Sequence, residues 1–372
     1  MRILYISHTH PSDGTILENV GGMQRVSLQL IQELRCKDHV DLVTETVNVS
    51  GKGRIGLQTF AFLVKQLVEL PVRARQTQAD VILFSSMVTA SLAWFLRNRI
   101  SIPMVAINHG RDVTLPVGIY QRFLPKVFNS LDGVISVSEA TRQECIKRGM
   151  HPGNGVALPN GLDLTSLVDF PDKEASRSSL QRNFGIPLDG KYMLLSVGRQ
   201  VKRKGHEWFI RNVFPKLASN SIYVAIGDGP EYENIDQAVR ESDLKDRIFL
   251  LGRQPDAVLK QAYASSDLFI MPNIPVNGDM EGFGIVMLEA NMAETPAVAS
   301  DLEGIRDVIE QGENGYRVPA LEAGQFAAQI DKVLSNGLKK LSGKARSYVE
   351  NKFNWQKVAD QYVYYLQEVI GR

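Results

Sequence analysis

The most informative stretch of the chain is GDMEGFGIVMLEANMAETP, residues 278–296. They stand between two short apolar runs, Leu268–Met271 and Ala297–Ala299, that have the length and composition of buried strands. Gly282 and Gly284 precede an apolar run of helical spacing, which predicts a loop followed by a helix that begins near Gly284. A strand, a loop, a helix and another strand form the repeating unit of a parallel α/β sheet.

The same alternation extends toward both ends of the chain. In a first series, strands are expected at Arg2–Ser7, Val40–Thr44, Val81–Ser85, Met104–Asn108, Gly133–Val137 and Val156–Leu158. In a second series, they are expected at Tyr192–Val197, Ile222–Ile226, Ile248–Leu250, Leu268–Met271, Ala297–Ala299 and Gly315–Val318. Because these strands are almost entirely apolar, helices should cover both faces of each sheet.

A polar stretch at residues 163–190 divides the two series and predicts a linker. We expect an N-terminal domain at residues 1–170, with the linker reaching to about 190, and a second domain at residues 190–352. Residues 353–372 have the spacing of an amphipathic helix. The expected fold class is α/β, with two Rossmann-like, doubly wound domains in tandem. In such domains ligands bind beyond the carboxyl ends of the strands.

The composition excludes several classes of protein. Of the 372 residues, 44% are hydrophobic and 22% are charged, which argues against a disordered chain, a collagen-like fibre or a coiled coil. The formal charge of +1 lacks the basic excess of a typical nucleic-acid-binding protein. The two cysteines, Cys36 and Cys145, stand in no disulfide or zinc-ligand pattern, which indicates a reducing compartment.

No stretch of the sequence has the length of a membrane-spanning helix or the pattern of a signal peptide. We therefore expect a cytoplasmic protein that is membrane-peripheral at most. Residues 1–185 carry 20 basic and 16 acidic side chains, and Lys65, Arg73 and Arg75 accompany the apolar run Phe60–Leu70. These features favour contact with an anionic membrane, and a packed helix with a solvated face is the alternative.

The segment SVGRQVKRKGHE, residues 196–207, follows the first predicted strand of the second series. Arg199 offers a planar fork and Lys204 a mobile point charge, and both residue types bind phosphate. Helix-start charges or salt bridges would explain the same two residues. We expect Lys202 and Arg203 to be solvated surface charges.

Glu281 and Glu289 flank the glycine-rich start of the predicted helix. If the helix begins near Gly284, Glu281 lies on the loop and Glu289 lies about 7–8 Å further along the axis. This order suits an extended nucleotide-sugar. The sugar hydroxyls of such a ligand would contact the carboxylate of Glu281 on the loop. Its diphosphate would bind at the helix N-terminus, and its ribose would contact Glu289. Two surface glutamates beside an ordinary turn are the alternative.

Gly21 and Gly22 precede the first predicted helix. Glycines at that place let the backbone approach a ligand closely and leave helix N–H groups free for an anion. An ordinary turn is the alternative. The pair does not form the G-x-G-x-x-G pattern, so a dehydrogenase loses its main support.

These motifs, in this order, resemble those of the retaining glycosyltransferases of family 4, which have the GT-B fold. EGFGIVMLEA resembles the E-x7-E signature, SVGRQVKRKG the phosphate-binding segment, NVGGMQR the N-domain glycine loop, and INHGRD the segment whose histidine faces the donor sugar. HGRDV and MPNIPVNGDMEGFGIV look particularly similar to mannosyltransferases that act on phosphatidylinositol and its mannosides. The resemblance covers most of the chain. It implies two domains facing across a cleft, with the terminal helix crossing back to the first domain.

The resemblance also implies roles for the matching residues. The implied catalytic residues are Arg199, Lys204, Glu281 and His109. The implied donor-binding residues are Gly21, Gly22, Arg199, Lys204, Arg253, Glu281, Gly282, Phe283, Gly284, Ile285, Val286 and Glu289. Arg111 and Asp112 stand where acceptor contacts could occur, and a charged loop is the alternative.

The expected reaction moves a sugar from GDP-mannose or a UDP-hexose to a hydroxyl of a glycolipid or glycan, with retention of the α anomer. The resembling family uses no metal and no D-x-D motif stands at a predicted strand end, so we expect neither metal nor cofactor. A GT-B nucleotide-sugar epimerase is one alternative, but it would need more acid/base groups than this chain, with 6 histidines, offers. A non-catalytic nucleotide-sugar-binding protein is the alternative from another class.

Overall fold

The computed structural model describes residues 1–11, 22–49, 55–218 and 220–372. They divide into two compact units. The first unit comprises Met1–Gly161 together with Trp355–Arg372, and the second comprises Leu162–Asn354.

A parallel sheet forms the centre of the first unit. Its strands are β1 (Arg2–Pro11), β2 (Asp41–Val49), β3 (Val81–Phe84), β4 (Met104–Asn108), β5 (Gly133–Ser136) and β6 (Gly155–Ala157). They are ordered β2-β1-β3-β4-β5-β6, and neighbouring strands run parallel. All residues of β3 and β4 are buried, as expected for a parallel sheet covered on both faces.

Helices cover both faces of this sheet. They are α1 (Gly22–Arg35), α2 (Ile55–Gln76), α3 (Met87–Leu96), α4 (Arg111–Thr114), α5 (Gly118–Phe128), α6 (Glu139–Lys147) and α15 (Trp355–Ile370). The apolar spacing predicts the buried face of α1, which comprises Val26, Leu30, Ile31 and Leu34. A capping box of Ser86 and Thr89 fixes the start of α3 directly after β3.

The terminal helix α15 packs within the first unit. It buries the face that its spacing predicts, which includes Trp355, Val358, Tyr362, Tyr365, Leu366 and Val369. The indole N–H of Trp355 donates a hydrogen bond of 2.7 Å to Oε1 of Gln29 in α1. A Cβ atom on Gly161 would lie 2.3 Å from the Trp355 ring, so this close approach requires glycine.

A second parallel sheet forms the centre of the second unit. Its strands are β7 (Tyr192–Val197), β8 (Ser221–Ile226), β9 (Ile248–Gly252), β10 (Leu268–Met271), β11 (Ala297–Ser300) and β12 (Gly315–Val318). They are ordered β12-β11-β10-β7-β8-β9. The helices are α7 (Lys173–Phe184), α8 (His206–Trp208), α9 (Tyr232–Arg240), α10 (Asp256–Ser265), α11 (Ile285–Met292), α12 (Ile305–Val308), α13 (Ala323–Lys332) and α14 (Leu338–Lys352).

The stretch predicted as a linker contains a helix that belongs to the second unit. The Asp172 side chain accepts a hydrogen bond from the Ala175 backbone N–H and caps α7, and Gly185 ends the helix in the left-handed conformation. Leu180 is buried, and α7 packs against α10. The cap signals were present in the sequence, but the apolar periodicity was too weak to predict the helix.

Strand order marks one place in each sheet where a ligand site is expected. In the second unit the chain runs outward from β7 through β8 to β9, and from β10 through β11 to β12 on the other side. Ligands of open α/β sheets bind at such a switch point, beyond the carboxyl ends of the strands. The corresponding switch point of the first unit lies between β1 and β3.

Candidate functional site

The loop after β7 brings Arg199 and Lys204 to the switch point of the second unit. A short 3-10 helix, Lys202–Lys204, follows β7, and Gly205 ends it with a φ of 66°. A Cβ atom on Gly205 would lie 2.0 Å from the carbonyl oxygen of Pro272, which follows β10. The two loops therefore pack backbone against backbone, and only glycine allows this approach.

The loop after β10 leads into α11 as the sequence predicts. Gly284 has a φ of 88° and caps the helix, which begins at Ile285. The first turn of α11 contains no acidic residue. This turn begins four residues after Glu281, and the backbone N–H groups of a helix N-terminus attract anions.

Glu281 is the centre of a buried ionic cluster. One of its oxygens, Oε2, lies 2.6 Å from Lys204 Nζ and accepts a hydrogen bond of 3.1 Å from Asn273 Nδ2. The Arg203 guanidinium donates to the same oxygen and also lies 3.3 Å from Asp279 Oδ1. The expectation that Arg203 is a solvated surface charge is therefore wrong, because its side chain is 18% exposed and paired with two carboxylates.

The surroundings of Glu281 fix its charge. Burial alone would raise the pKa of this carboxyl, but Lys204 and Arg203 more than offset burial and lower the pKa from 4.5 to about 2. Burial lowers the pKa of Lys204, and the Glu281 carboxylate opposes that shift. Glu281 is thus an ionised group at neutral pH, held by three donors.

The backbone before α11 is held by a second glutamate. The Glu281 N–H donates to the Glu303 carboxylate, and Glu303 has a φ of 46°. Burial raises the pKa of Glu303. No pattern in the sequence distinguished this residue, whereas Asn273 stands two residues past β10, a place that strand-end reasoning would have found.

Glu289 lies on the other side of the α11 N-terminus. It is the fifth residue of α11, and its Oε2 accepts a hydrogen bond of 2.8 Å from the Tyr263 hydroxyl of α10. Its side chain is half-buried. Tyr263 was not predicted from the sequence, because α10 and α11 meet only in the folded sheet.

Arg199 differs from Lys204 in its surroundings. It is exposed, and within the described parts of the chain no carboxylate pairs with its side chain. The next residue, Gln200, is buried, and its side-chain amide has no hydrogen-bond partner among those residues. Arg253 is exposed and follows β9 directly. The structure thus places Arg199, Lys204, Glu281, Arg253 and Glu289 at or beyond the carboxyl ends of the second sheet.

A second polar cluster lies at the carboxyl edge of the first sheet. The His109 side chain follows β4, and its Nε2 lies 3.0 Å from the Ser85 carbonyl oxygen, so Nε2 carries a proton and donates. Asp112 is buried, and its two oxygens accept hydrogen bonds of 3.0 Å from the backbone N–H groups of His109 and Met87. Asp112 therefore fixes the loop that carries His109, while Arg111 is exposed.

His8 of β1 also belongs to this cluster. Its Nδ1 lies 3.4 Å from the Ser86 hydroxyl, and burial, aided by His109, lowers its pKa to about 4. Gly22 begins α1, whereas Gly21 lies outside the described residues. His8 was not predicted, although it lies on the β1 side of the switch point.

Two family models match the chain. The model described as "Glycosyltransferase Family 4" matches residues 20–166, and the model described as "Glycosyl transferases group 1" matches residues 179–355. The two matches cover the cores of both units, and the chain belongs to the glycosyltransferases that these models describe.

Relatives of known name support this membership. The chain is 29% identical over 274 residues to phosphatidyl-myo-inositol mannosyltransferase of Mycolicibacterium smegmatis, a match that covers 72% of this chain and 66% of the relative. The enzyme of the same name from Mycobacterium tuberculosis is 28% identical over 376 residues, with 94% of each chain covered. The chain thus spans slightly less than two thirds of the M. smegmatis protein.

A solved structure supports the fold. The Anabaena protein HepE, crystallised in complex with UDP, superposes with a TM-score of 0.74 at 18% identity and covers 99% of this chain and 100% of its own. The two parallel six-stranded sheets are those of the GT-B fold, as predicted.

Proposed function

We propose that the protein is a retaining glycosyltransferase that moves a hexosyl group from a nucleotide-diphosphate-sugar to an acceptor hydroxyl. One observation carries the proposal: Lys204, Arg199 and the α11 N-terminus converge on the β7/β10 switch point beside the ionised Glu281. This arrangement offers a fixed positive potential to a diphosphate and a fixed carboxylate to sugar hydroxyls.

The reaction breaks the bond between the anomeric carbon and the diphosphate oxygen and forms a bond from that carbon to the acceptor oxygen. Negative charge grows on the departing diphosphate, and Arg199, Lys204 and the α11 N–H groups stabilise it where it forms. The acceptor proton passes to the departing phosphate, so the step needs neither a metal nor a protein base. Glu281 binds the sugar hydroxyls, and Glu289, oriented by Tyr263, binds the ribose.

The donor is GDP-mannose or a UDP-hexose. Relatives named as mannosyltransferases support the first, and the UDP complex of the Anabaena protein supports the second. We assign acceptor binding to the carboxyl edge of the first sheet. There the exposed Arg111 is available to hydroxyl and anionic groups, and Asp112 holds the loop in place. We keep His109, whose Nε2 donates to the Ser85 carbonyl, as a residue that binds the donor sugar. A phosphatidylinositol-type glycolipid is the acceptor class that the named relatives support.

A lipid-linked acceptor requires the enzyme to reach a membrane, and α2 offers a surface for that contact. Phe62, Gln66, Leu70 and Ala74 face the core of the first unit. The opposite face of the helix is also apolar and is exposed: Leu57 72%, Phe60 65%, Val64 48%, Val68 67% and Val72 49%. This apolar stripe lies beside the exposed Lys65, Arg73 and Arg75, and an exposed stripe of this kind supports an interaction site.

The neighbouring helices favour an anionic lipid surface as the occupant. α3 packs against both α2 and α5, and it exposes Trp94 and Phe95, while α5 exposes Ile119. Residues 81–132 contain two acidic side chains, the buried Asp112 and Asp132, which pairs with Arg97, against five basic ones. Within the described residues no helix is both long enough and apolar enough to cross a bilayer. The exposed apolar stripe of α2 and the basic side chains beside it lead us to propose a cytoplasmic protein that binds the membrane surface.

Co-sedimentation with vesicles tests the membrane contact. At low salt the protein should bind phosphatidylglycerol vesicles and bind phosphatidylcholine vesicles weakly. The double variant Phe60→Ser, Val68→Ser should lose binding. Val168→Ser, which removes a valine of the second unit that is 48% exposed, should not. If both variants bind the vesicles equally, or if the wild type does not bind them at low salt, the exposed face of α2 is not a membrane-binding surface.

A panel of nucleotide-sugars tests the proposed transfer. The protein is incubated with GDP-mannose or UDP-hexoses and with phosphatidylinositol-type or glycan acceptors, and released nucleoside diphosphate is measured. Release should require an acceptor, and NMR of the product should show the α anomer. Tight donor binding without release across the panel would favour a binding protein, and conversion of free donor to its epimer would favour an epimerase.

A further inference from the structure

Arg203 occupies a position that the proposed chemistry does not yet use. It is the middle residue of the 3-10 helix after β7, directly before the phosphate-binding Lys204. Its backbone carbonyl accepts a hydrogen bond of 2.9 Å from the N–H of Ile274, which fixes it against the loop after β10. Its side chain reaches Asp279 and Glu281, both on that second loop.

The charges of this cluster balance without a ligand. Lys204 and Arg203 supply two positive charges, and Glu281 and Asp279 supply two negative ones. Glu303 also lies beside Glu281, and burial raises its pKa, which favours its neutral form. Lys204 can therefore bind a diphosphate only by giving up part of its interaction with Glu281. A carboxylate buried as deeply as Glu281, which is 7% exposed, is costly to leave without a cation.

Arg203 resolves this conflict by its position. It shares Oε2 of Glu281 with Lys204, so it remains with the carboxylate when the lysine turns to phosphate. The planar guanidinium of Arg203 contacts two carboxylates at once. Its Nε lies 3.3 Å from Asp279 Oδ1, and its Nη1 donates a hydrogen bond to Glu281 Oε2. A lysine at this position could not hold both carboxylates in fixed geometry.

We propose that Arg203 is a positioning residue that keeps Glu281 charged and in place while Lys204 exchanges Glu281 for the donor diphosphate. The role rests on the proposed function, because it assumes that Lys204 binds diphosphate. It makes Arg203 act through Glu281 and not through contact with the ligand.

A double-mutant cycle separates these two modes of action. The affinity for GDP and for UDP is measured by calorimetry at neutral pH for the wild type, Arg203→Met, Glu281→Gln and the double variant. When Glu281 is present, Arg203→Met should weaken nucleotide binding about tenfold. Lys204 then remains the main cation of Glu281 and is less available to the diphosphate. In the Glu281→Gln background the same substitution should change affinity little, since no carboxylate then competes for Lys204.

A control variant, a conservative variant and the pH profile of kcat/KM extend the test. Lys202→Met removes an exposed neighbouring charge and should have no effect in either background. Arg203→Lys should restore part of the affinity. In the pH profile of kcat/KM, the acidic limb of Arg203→Met should lie at higher pH than that of the wild type, because Glu281 then faces only Lys204 as a cation. The other groups facing it are Asn273, Glu303 and Asp279.

The other outcomes of the cycle would give Arg203 a different role. An equal loss of affinity in both backgrounds would make Arg203 a direct phosphate ligand, and no loss in either would make it a surface charge. Should Arg203→Met fail to fold, Arg203→Lys enters the same cycle, and its smaller effect must likewise vanish with Glu281→Gln. Absence of GDP and UDP binding by the folded wild type would contradict the proposed function. The cycle measured on thermal unfolding would then still test whether Arg203 stabilises the fold through Glu281.

Discussion

Lys204 and Arg199 share one proposed role but lie in different surroundings, and this difference gives a sharp prediction. Both should stabilise the departing diphosphate, so Lys204→Met and Arg199→Ala should each lower kcat about 100- to 1000-fold, the usual cost of losing one electrostatic donor. Their effects on stability should differ, because Lys204 is 8% exposed and ion-paired whereas Arg199 is exposed.

The size of the stability difference follows from the partners that remain. Removal of one member of a buried ion pair costs about 3–5 kcal/mol when the other charge is left alone. After Lys204→Met, Glu281 still accepts hydrogen bonds from Arg203 and Asn273, so we expect a smaller loss, about 1–2 kcal/mol. At about 2–4 °C per kcal/mol for a unit of this size, Tm should fall by about 2–8 °C. Arg199→Ala should change stability by less than about 0.5 kcal/mol.

Steady-state kinetics with saturating acceptor and thermal unfolding without ligand measure the two effects on the same preparations. Circular dichroism at the assay temperature verifies that both variants are folded. Near-wild-type turnover in either folded variant would remove that residue from the phosphate site. Equal loss of stability in the two variants would contradict the buried cluster around Glu281.

Three further predictions concern the remaining parts of the site. Glu281→Gln should bind GDP or UDP more tightly than the wild type, since Lys204 is released, yet should transfer sugar more slowly; weaker binding would contradict the competition between carboxylate and phosphate. Glu289→Gln should weaken donor binding by about 1.5–3 kcal/mol with little change in kcat, and Tyr263→Phe, which removes only the orienting hydroxyl, should have a smaller effect of the same kind on KM. Dialysis against EDTA should leave turnover unchanged, and a loss that Mg²⁺ or Mn²⁺ restores would refute the metal-independent mechanism.

The sequence predicts those parts of the fold that local patterns determine. The strand predicted at Tyr192–Val197 is β7, that at Leu268–Met271 is β10, and the helix predicted near Gly284 begins at Ile285. Each has a local cause: a continuous apolar run predicts a buried strand, and a glycine before a helical repeat predicts a helix start. These elements suffice to place Arg199, Lys204 and Glu281 beyond strand ends.

Contacts between loops that are distant in the chain could not be predicted in this way. Arg203 and Glu281 are 78 residues apart, and they meet because β10 pairs with β7 in the sheet. Strand order decides this contact, and no pattern near residue 203 contains it. The same holds for Tyr263 and Glu289, which lie on different helices. A charged residue in a loop at a strand end is therefore better assigned after the strand order is known.

The environment of Glu281 also bears on where the acceptor proton goes. A general base works best when its pKa lies near the working pH. Burial, outweighed by Lys204 and Arg203, leaves the pKa of Glu281 at about 2 against an ordinary 4.5, so this carboxylate is a weak base at neutral pH. Its contribution to stability is present above its ordinary pKa and is lost as the pH falls toward 2. Glu281 is thus suited to binding hydroxyls and unsuited to removing their protons, whereas the departing diphosphate gains negative charge as the reaction proceeds. In the transfer that we propose, the basicity needed at the acceptor oxygen therefore develops on the leaving group itself, beside Lys204 and Arg199.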